Sequence, residues 1–131
     1  MNNNPEFKQA LMGIYRDGCK KFNIRTTPKV VLRKDAENGA LTLGRTAYYD
    51  PSELTIVLYT SNRHPKDILR SFAHELIHHV QNERGDLHLG DSSDPQYAQN
   101  DEHLRKMEKE AYLQGNLLMR DFEDNFKYQQ E

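Results

Sequence analysis

The chain has 131 residues, with 18 lysines and arginines against 20 aspartates and glutamates, and a formal net charge of −2 at pH 7. That length fits a single domain over residues 1–131, and the near balance of charge gives no electrostatic reason to expect nucleic acid binding. A mean hydropathy of −0.94 argues against a membrane span. Cys19 is the only cysteine and residues 1–5 do not resemble a signal peptide, so we expect a reducing, cytoplasmic compartment.

The first half of the chain predicts one helix and a small sheet. Residues 5–22 favour a helix, because apolar side chains recur there at helical spacing along one face. Strands are predicted at residues 29–33, 43–49 and 54–59, of which the last is the clearest. A short turn joins the second and third strands, which predicts an antiparallel hairpin and a sheet that is mainly antiparallel.

The second half predicts two helices separated by a polar loop. The first helix begins at Pro65, which suits an initial helical turn, and ends before Gly85, which suits a helix terminus. A polar loop is expected over residues 83–99, and a second helix begins near Asn100. Because one helix, three strands and two more helices follow in that order, the predicted fold class is α+β.

The first of these two helices contains the most informative pattern in the chain, His-Glu-Leu-Ile-His at residues 74–78. Because His74 and His78 are four residues apart, they lie on one helix face, where both imidazoles can reach one metal ion. Glu75 lies about 100° around the helix axis from His74 and about 60° from His78. This position beside the metal suits a general base. His79 is expected to pack rather than to bind the metal. The opposite face is apolar and comprises Leu69, Phe72, Ala73, Leu76 and Val80.

A catalytic zinc site usually has three protein ligands, so a third ligand is expected outside this motif. Glu108 is predicted to fill that role, because it lies on the inward stripe of the last helix, where a carboxylate is unfavourable unless it is paired or binds metal. Glu110 lies about 200° away around the helix and is predicted to be a solvated charge, with a reserve role as ligand. Asp86 and His88, in the polar loop, are further alternatives. The inward stripe comprises Leu104, Ala111, Gly115, Leu118 and Phe122.

Residues 74–78, together with Glu-Lys-Glu-Ala-Tyr at residues 108–112, resemble the gluzincin zinc metallopeptidases, and within them minimal gluzincins and phage-type antirepressor peptidases. The resemblance implies Zn2+ held by the two histidines and Glu108, with Glu75 as general base. Gluzincins often carry an aspartate four residues after the ligating glutamate, where it supports a zinc-binding histidine, and Tyr112 occupies that position here. The Tyr112 hydroxyl is expected either to contact an imidazole or to stabilise an oxyanion.

These residues predict a zinc-dependent endopeptidase that acts on a protein or peptide substrate, with Glu75 as base towards a metal-activated water. By resemblance, strand 43–49 would bind the substrate as an added strand. One alternative is a non-catalytic binding or regulatory protein stapled by zinc, which needs a fourth ligand such as His88 or His103. Another is a peptidase with a single narrow protein substrate. The sequence predicts no oligomeric state.

Overall fold

The computed structural model describes residues 5–35, 46–87 and 97–130, with the backbone alone at residues 97–101 and 126–130. This part of the chain forms three helices and one three-stranded sheet, which is the predicted α+β class. None of these described helices is both long and apolar enough to cross a membrane. In chain order the elements are α1 (Pro5–Phe22), β1 (Lys29–Arg33), β2 (Ala47–Asp50), β3 (Thr55–Tyr59), α2 (Pro65–Glu83) and α3 (Tyr97–Gln130).

The predicted bounds agree with the structure except near the loops. Helix α1 and strand β1 begin and end where the sequence predicts, and α2 begins at Pro65. Residues 43–45 of the second predicted strand lie outside the described residues, as do residues 88–96 of the predicted polar loop. Helix α3 begins at Tyr97, three residues earlier than predicted, because no helix-breaking residue lies between Tyr97 and Asn100.

The sheet is mixed rather than mainly antiparallel. Strands β2 and β3 form the predicted antiparallel hairpin, in which Tyr48 is opposite Val57. Strand β1 lies on the other side of β3 and runs parallel to it, with Val31 opposite Val57. The tight turn fixes the direction of β2 relative to β3, but no local signal fixes that of β1, which depends on the path between β1 and β2.

Helix α2 contacts α1, α3 and strands β2 and β3, and its apolar face forms part of the hydrophobic core. As predicted, Leu69, Phe72, Ala73, Leu76 and Val80 are all buried. The central strand β3 is buried along its length from Ile56 to Tyr59. Each fully buried aliphatic or aromatic side chain stabilises the fold by about 1.5–3 kcal/mol relative to exposure. The core around this face also includes Phe7 and Ile14 of α1, and Leu118 and Met119 of α3.

Local signals define both ends of α2. Pro65 occupies the first turn, and the Nδ1 atom of His64 accepts a hydrogen bond from the backbone N–H of Lys66, 3.1 Å away. The helix ends at Glu83, and Gly85 follows with a φ of +83°, a conformation that a residue without Cβ adopts at little cost. These ends place the histidine motif in the middle of a rigid helix.

Glu83, the last residue of α2, holds the segment between α1 and β1 in place. Its carboxylate accepts hydrogen bonds from the backbone N–H groups of Arg25 at 3.0 Å and Thr26 at 2.7 Å, and from the Thr26 hydroxyl at 2.7 Å. Its side chain is only 12% exposed. Burial raises the pKa of the Glu83 carboxyl, but the hydrogen bonds from Thr26 and Arg25 outweigh that effect, so the pKa lies below its usual value.

We expect Glu83→Gln to lower the free energy of unfolding at neutral pH by about 1–3 kcal/mol, because the amide presents an NH2 group to backbone donors. Because the pKa of Glu83 is lower in the folded than in the unfolded protein, its carboxylate stabilises the fold fully above the unfolded pKa of about 4.3. This contribution is lost as the pH falls through the pKa of the folded protein. Urea unfolding at about pH 6 and about pH 3 should show the wild type losing more stability than Glu83→Gln. The exposed control Glu53→Gln should behave as the wild type; equal losses in all three proteins would contradict the assignment.

Candidate metal centre

The site forms where α2 and α3 touch. A Cβ atom at Gly115 would lie only 3.0 Å from the Cα atom and 3.1 Å from the backbone nitrogen of His74, so the two helices cross in backbone contact at the first histidine. Gly115 lies where the two backbones meet, and Ala111, one turn earlier on α3, is fully buried. The close crossing places Glu108, two turns earlier on α3, beside the histidines of α2.

Two imidazoles and one carboxylate converge at this crossing. The rings of His74 and His78 are 5.0 Å apart between centroids. The Nε2 atom of His78 lies 2.9 Å from Oε1 of Glu108, and Nε2 of His74 lies 3.3 Å from Oε2 of the same carboxylate. One ligand atom from each residue lies within 4.8 Å of the other two. The structure therefore brings together the three residues that the sequence predicts as metal ligands.

Glu108 lies beside the two histidines, as predicted, but the prediction that its side chain faces the core was wrong. Its side chain is 63% exposed, so it is not a buried carboxylate on the inward stripe. Leu104, one turn earlier, is also exposed. Helix α3 packs through Met107, Ala111 and Leu118, and Glu108 lies beside that stripe at the edge of the open cleft. An apolar stripe on a helix is about 100° wide or more, so the sequence pattern does not show whether a residue near its border, such as Glu108, faces the core or the cleft.

Glu110, the reserve ligand, is held in a salt bridge and is not a freely solvated charge. Its carboxylate accepts hydrogen bonds from Arg84, with Nη2 2.6 Å from Oε1, and from the amide of Gln81 at 2.8 Å. Hydrogen bonds from Arg84 lower the pKa of the Glu110 carboxyl below its usual value, although burial acts in the opposite direction. Asp86 also binds Arg84, at 2.9 Å. Both carboxylates are therefore engaged outside the group of three, and the other alternative, His88, lies outside the described residues.

Glu75 lines the same cleft as the three candidate ligands. Its side chain is largely buried, with 9% of the residue exposed. Burial raises the pKa of its carboxyl to about 7; the charge on His78 opposes the rise and the Glu108 carboxylate adds to it. Burial and the neighbouring His78 also lower the pKa of His74, which favours the neutral imidazole that binds metals. The site thus combines a nitrogen-rich ligand set with a carboxyl that can exchange a proton near neutral pH.

The other histidines that the structure describes are engaged elsewhere. His79 is fully buried, with Nε2 2.8 Å from the Thr26 carbonyl oxygen and Nδ1 2.7 Å from the Tyr49 hydroxyl. Both ring nitrogens of this buried histidine therefore contact groups outside the group of three. His103 Nε2 lies 2.6 Å from the carbonyl oxygen of Asp86, so this ring is hydrogen-bonded away from the group of three.

Gln81 is the residue at this site that the sequence did not identify. It is fully buried, and its Oε1 atom lies 2.8 Å from Nδ1 of His78. Residues three apart on a helix are neighbours, so the sequence indicated that Gln81 could contact His78. The spacing alone does not show whether the Gln81 side chain bonds to His78 or to water. Tyr112, which stands where the resemblance implies an aspartate, lies on the cleft wall with 68% of its surface exposed.

An open cleft with a volume of about 870 Å³ is lined by the three candidate ligands and Glu75. Strand β2 is an edge strand of the described sheet and borders this cleft from Ala47 to Tyr49. Arg70 and Ser71 of α2 also line the cleft, as does Leu104, which lies one turn before Glu108 on α3. The candidate metal centre is therefore accessible to a molecule much larger than water.

Comparisons of the chain with known protein families, with curated proteins and with solved structures find no match. The function is therefore inferred from the chemistry and geometry of the site itself.

Proposed function

We propose that this protein is a zinc-dependent endopeptidase in which His74, His78 and Glu108 hold the metal and Glu75 is the general base. The observation that carries the proposal is the convergence of two imidazoles and one carboxylate, within 4.8 Å of one another, in a cleft that also contains the Glu75 carboxyl. Three protein ligands and an open side are typical of catalytic zinc sites.

The donor set fits zinc in both chemistry and spacing. Zinc binds histidine nitrogen and carboxylate oxygen at about 2.0–2.2 Å, so adjacent ligand atoms of a tetrahedral site lie about 3.3–3.5 Å apart. The Nε2 atoms of His74 and His78 lie 3.3 Å and 2.9 Å from different oxygens of Glu108, and one ligand atom from each residue lies within 4.8 Å of the other two. Only small side-chain adjustments would bring these atoms to the tetrahedral spacing. When bound there, zinc would lower the pKa of water and polarise a carbonyl oxygen.

Glu75 supplies the proton transfers that peptide hydrolysis requires. In this mechanism its carboxylate takes a proton from the attacking water as the water oxygen adds to the peptide carbonyl carbon. It then passes that proton to the amide nitrogen, so the carbon–nitrogen bond breaks and a neutral amine leaves. The Glu75 carboxyl lines the cleft beside the three proposed ligands, a position from which one group can serve both steps.

Strand β2 provides a means of orienting a peptide across the site. An extended peptide can pair with an exposed strand edge through backbone hydrogen bonds, which do not depend on its sequence. Edge strand β2 borders the cleft beside Glu75. A peptide paired in this way would lie along the cleft that Glu75, the three proposed ligands and Tyr112 also line.

The open, three-ligand arrangement favours catalysis over a zinc-stapled binding protein. A closed structural site has four protein ligands. Among the described residues the metal-binding group comprises three, and the ring of His103, a predicted fourth ligand, contacts the Asp86 backbone instead.

Metal removal is the direct test of the proposed function. We expect the zinc-loaded protein to cleave members of a proteome-derived peptide library or a protein substrate, a chelator to abolish cleavage, and one equivalent of zinc to restore it. Zinc-loaded Glu75→Gln is the control for contaminating peptidases. Cleavage of one protein but not of casein would indicate a narrow substrate. Cleavage that persists in chelator, or zinc bound with no cleavage in any library, would overturn the proposal.

A further inference from the structure

We propose that Gln81 is a positioning residue that holds His78 with its Nε2 atom directed at the metal. The inference builds on the proposed zinc site but not on peptide hydrolysis, because it concerns the ring orientation of one ligand. Gln81 neither lines the cleft nor belongs to the ligand group, and it is fully buried behind His78.

The neighbours of Gln81 determine which way its amide points. The Nε2 atom lies 2.9 Å from the carbonyl oxygen of Met107 and 2.8 Å from Oε1 of Glu110. A carbonyl oxygen only accepts hydrogen bonds, and so does an ionised carboxylate. The amide NH2 must therefore face these two atoms on α3, which leaves the carbonyl oxygen Oε1 facing His78.

This orientation assigns the hydrogen of the His78 ring. The Gln81 Oε1 atom can only accept, and it lies 2.8 Å from Nδ1 of His78, so Nδ1 carries a hydrogen and donates it. The assignment holds whether the ring is neutral or protonated. In the neutral ring the lone pair is then on Nε2, which faces Oε1 of Glu108 at 2.9 Å. Two lone pairs repel at that distance, so this geometry is completed by a metal ion between the two atoms or by a second proton on the ring. Gln81 thus selects the tautomer that can bind metal at the site.

The same amide also sets the distance between His78 and Glu108. Gln81 is on α2, but both acceptors of its NH2 group are on α3, on either side of Glu108. They are the carbonyl oxygen of Met107 and the carboxylate of Glu110. Arg84 in turn holds Glu110, with Nη2 2.6 Å from Oε1 and Nη1 3.2 Å from Oε2. A chain of hydrogen bonds from Arg84 through Glu110 and Gln81 to His78 therefore locks the two helices together behind the ligands.

Gln81→Met tests this role, because methionine has nearly the same length and volume but makes none of these hydrogen bonds. We expect the zinc dissociation constant, measured by competition with a chromophoric chelator, to rise by about 10- to 100-fold. Nitrogen-15 NMR of the metal-free protein at mildly alkaline pH should show His78 protonated at Nδ1 in the wild type, and a shift towards the Nε2-protonated form in Gln81→Met. A residue that only fills space would not alter this tautomer.

Two further variants complete the test. Gln114→Met, a half-buried glutamine on α3, should leave the zinc affinity and the His78 tautomer unchanged. The double variant Gln81→Glu with Glu110→Gln keeps an oxygen acceptor for His78 and reverses the donor direction between positions 81 and 110. It should recover part of the affinity that Gln81→Met loses and keep His78 protonated at Nδ1. Gln81→Leu, which also lacks the acceptor, carries the affinity and NMR tests if Gln81→Met does not fold.

A zinc dissociation constant within about threefold of the wild type in Gln81→Met, with His78 still protonated at Nδ1, would overturn the inference. This outcome is distinct from failure of the proposed function. If the protein binds zinc through the three ligands but hydrolyses no peptide, the proposed peptidase function is refuted. The role of Gln81 is then still decided by the zinc affinity and the His78 tautomer of Gln81→Met.

Discussion

Glu75→Gln should bind zinc as tightly as the wild type and lose peptide hydrolysis. Glutamine has the size of glutamate, so the buried position on α2 stays filled and the three ligands stay in place. An amide has no basic oxygen near neutral pH, so it cannot take the proton of the attacking water. Loss of a general base lowers kcat by typically about 10²- to 10⁴-fold, with little change in KM where substrate binding is unaffected.

The measurement pairs metal content with steady-state cleavage of the same protein sample. Glu102→Gln, an exposed glutamate on α3, is the control for the loss of one carboxylate and should retain full activity. If Glu75→Gln hydrolysed peptides at the wild-type rate, Glu75 would not be the base and the mechanism would be wrong. If Glu75→Gln lost zinc as well, Glu75 would contribute to metal binding and not to the proton transfer alone.

Glu108→Ala and His78→Ala should each lose both zinc and hydrolysis. Each removes one of three ligands, so the fall in zinc affinity should exceed the about 10- to 100-fold that follows loss of a supporting partner. The Glu108 side chain is 63% exposed, so Glu108→Ala should change the stability of the metal-free protein by no more than about 0.5 kcal/mol. Zinc titration and metal-free urea unfolding separate the two effects.

Glu110→Ala is the matched comparison, two residues away on the same helix. It removes the acceptor for Arg84 and Gln81 but no proposed ligand, so zinc affinity should fall less than in Glu108→Ala. The reverse order would make Glu110 the third ligand. Retention of zinc by both variants would point to a carboxylate or histidine outside the group of three.

The helical motif illustrates how much of the site could be predicted. Spacing within one helix is a local property, so the common face of His74 and His78, the adjacent position of Glu75 and the apolar back of α2 all followed from the order of residues. The same holds for the turn between β2 and β3, which predicted their antiparallel pairing.

Contacts between elements were harder to predict, as α3 shows. Periodicity placed Glu108 on the buried stripe, but the structure places it at the cleft edge, because the rotation of α3 depends on where Gly115 meets the backbone of His74. Gln81 was not predicted for a related reason. Whether a polar side chain on a helix is solvated or buried depends on the neighbouring helix, and here Met107 and Glu110 supply the acceptors.

The sequence by itself determined the α+β class, the bounds of most elements and the His-Glu-Leu-Ile-His face, because each depends on residues fewer than about ten positions apart. The tertiary structure alone decided that β1 runs parallel to β3, that Glu108 lies exposed at the cleft edge rather than in the core, and that Gln81 contacts His78. These features join residues distant in sequence, and their geometry is fixed by how closely the helices and strands can pack.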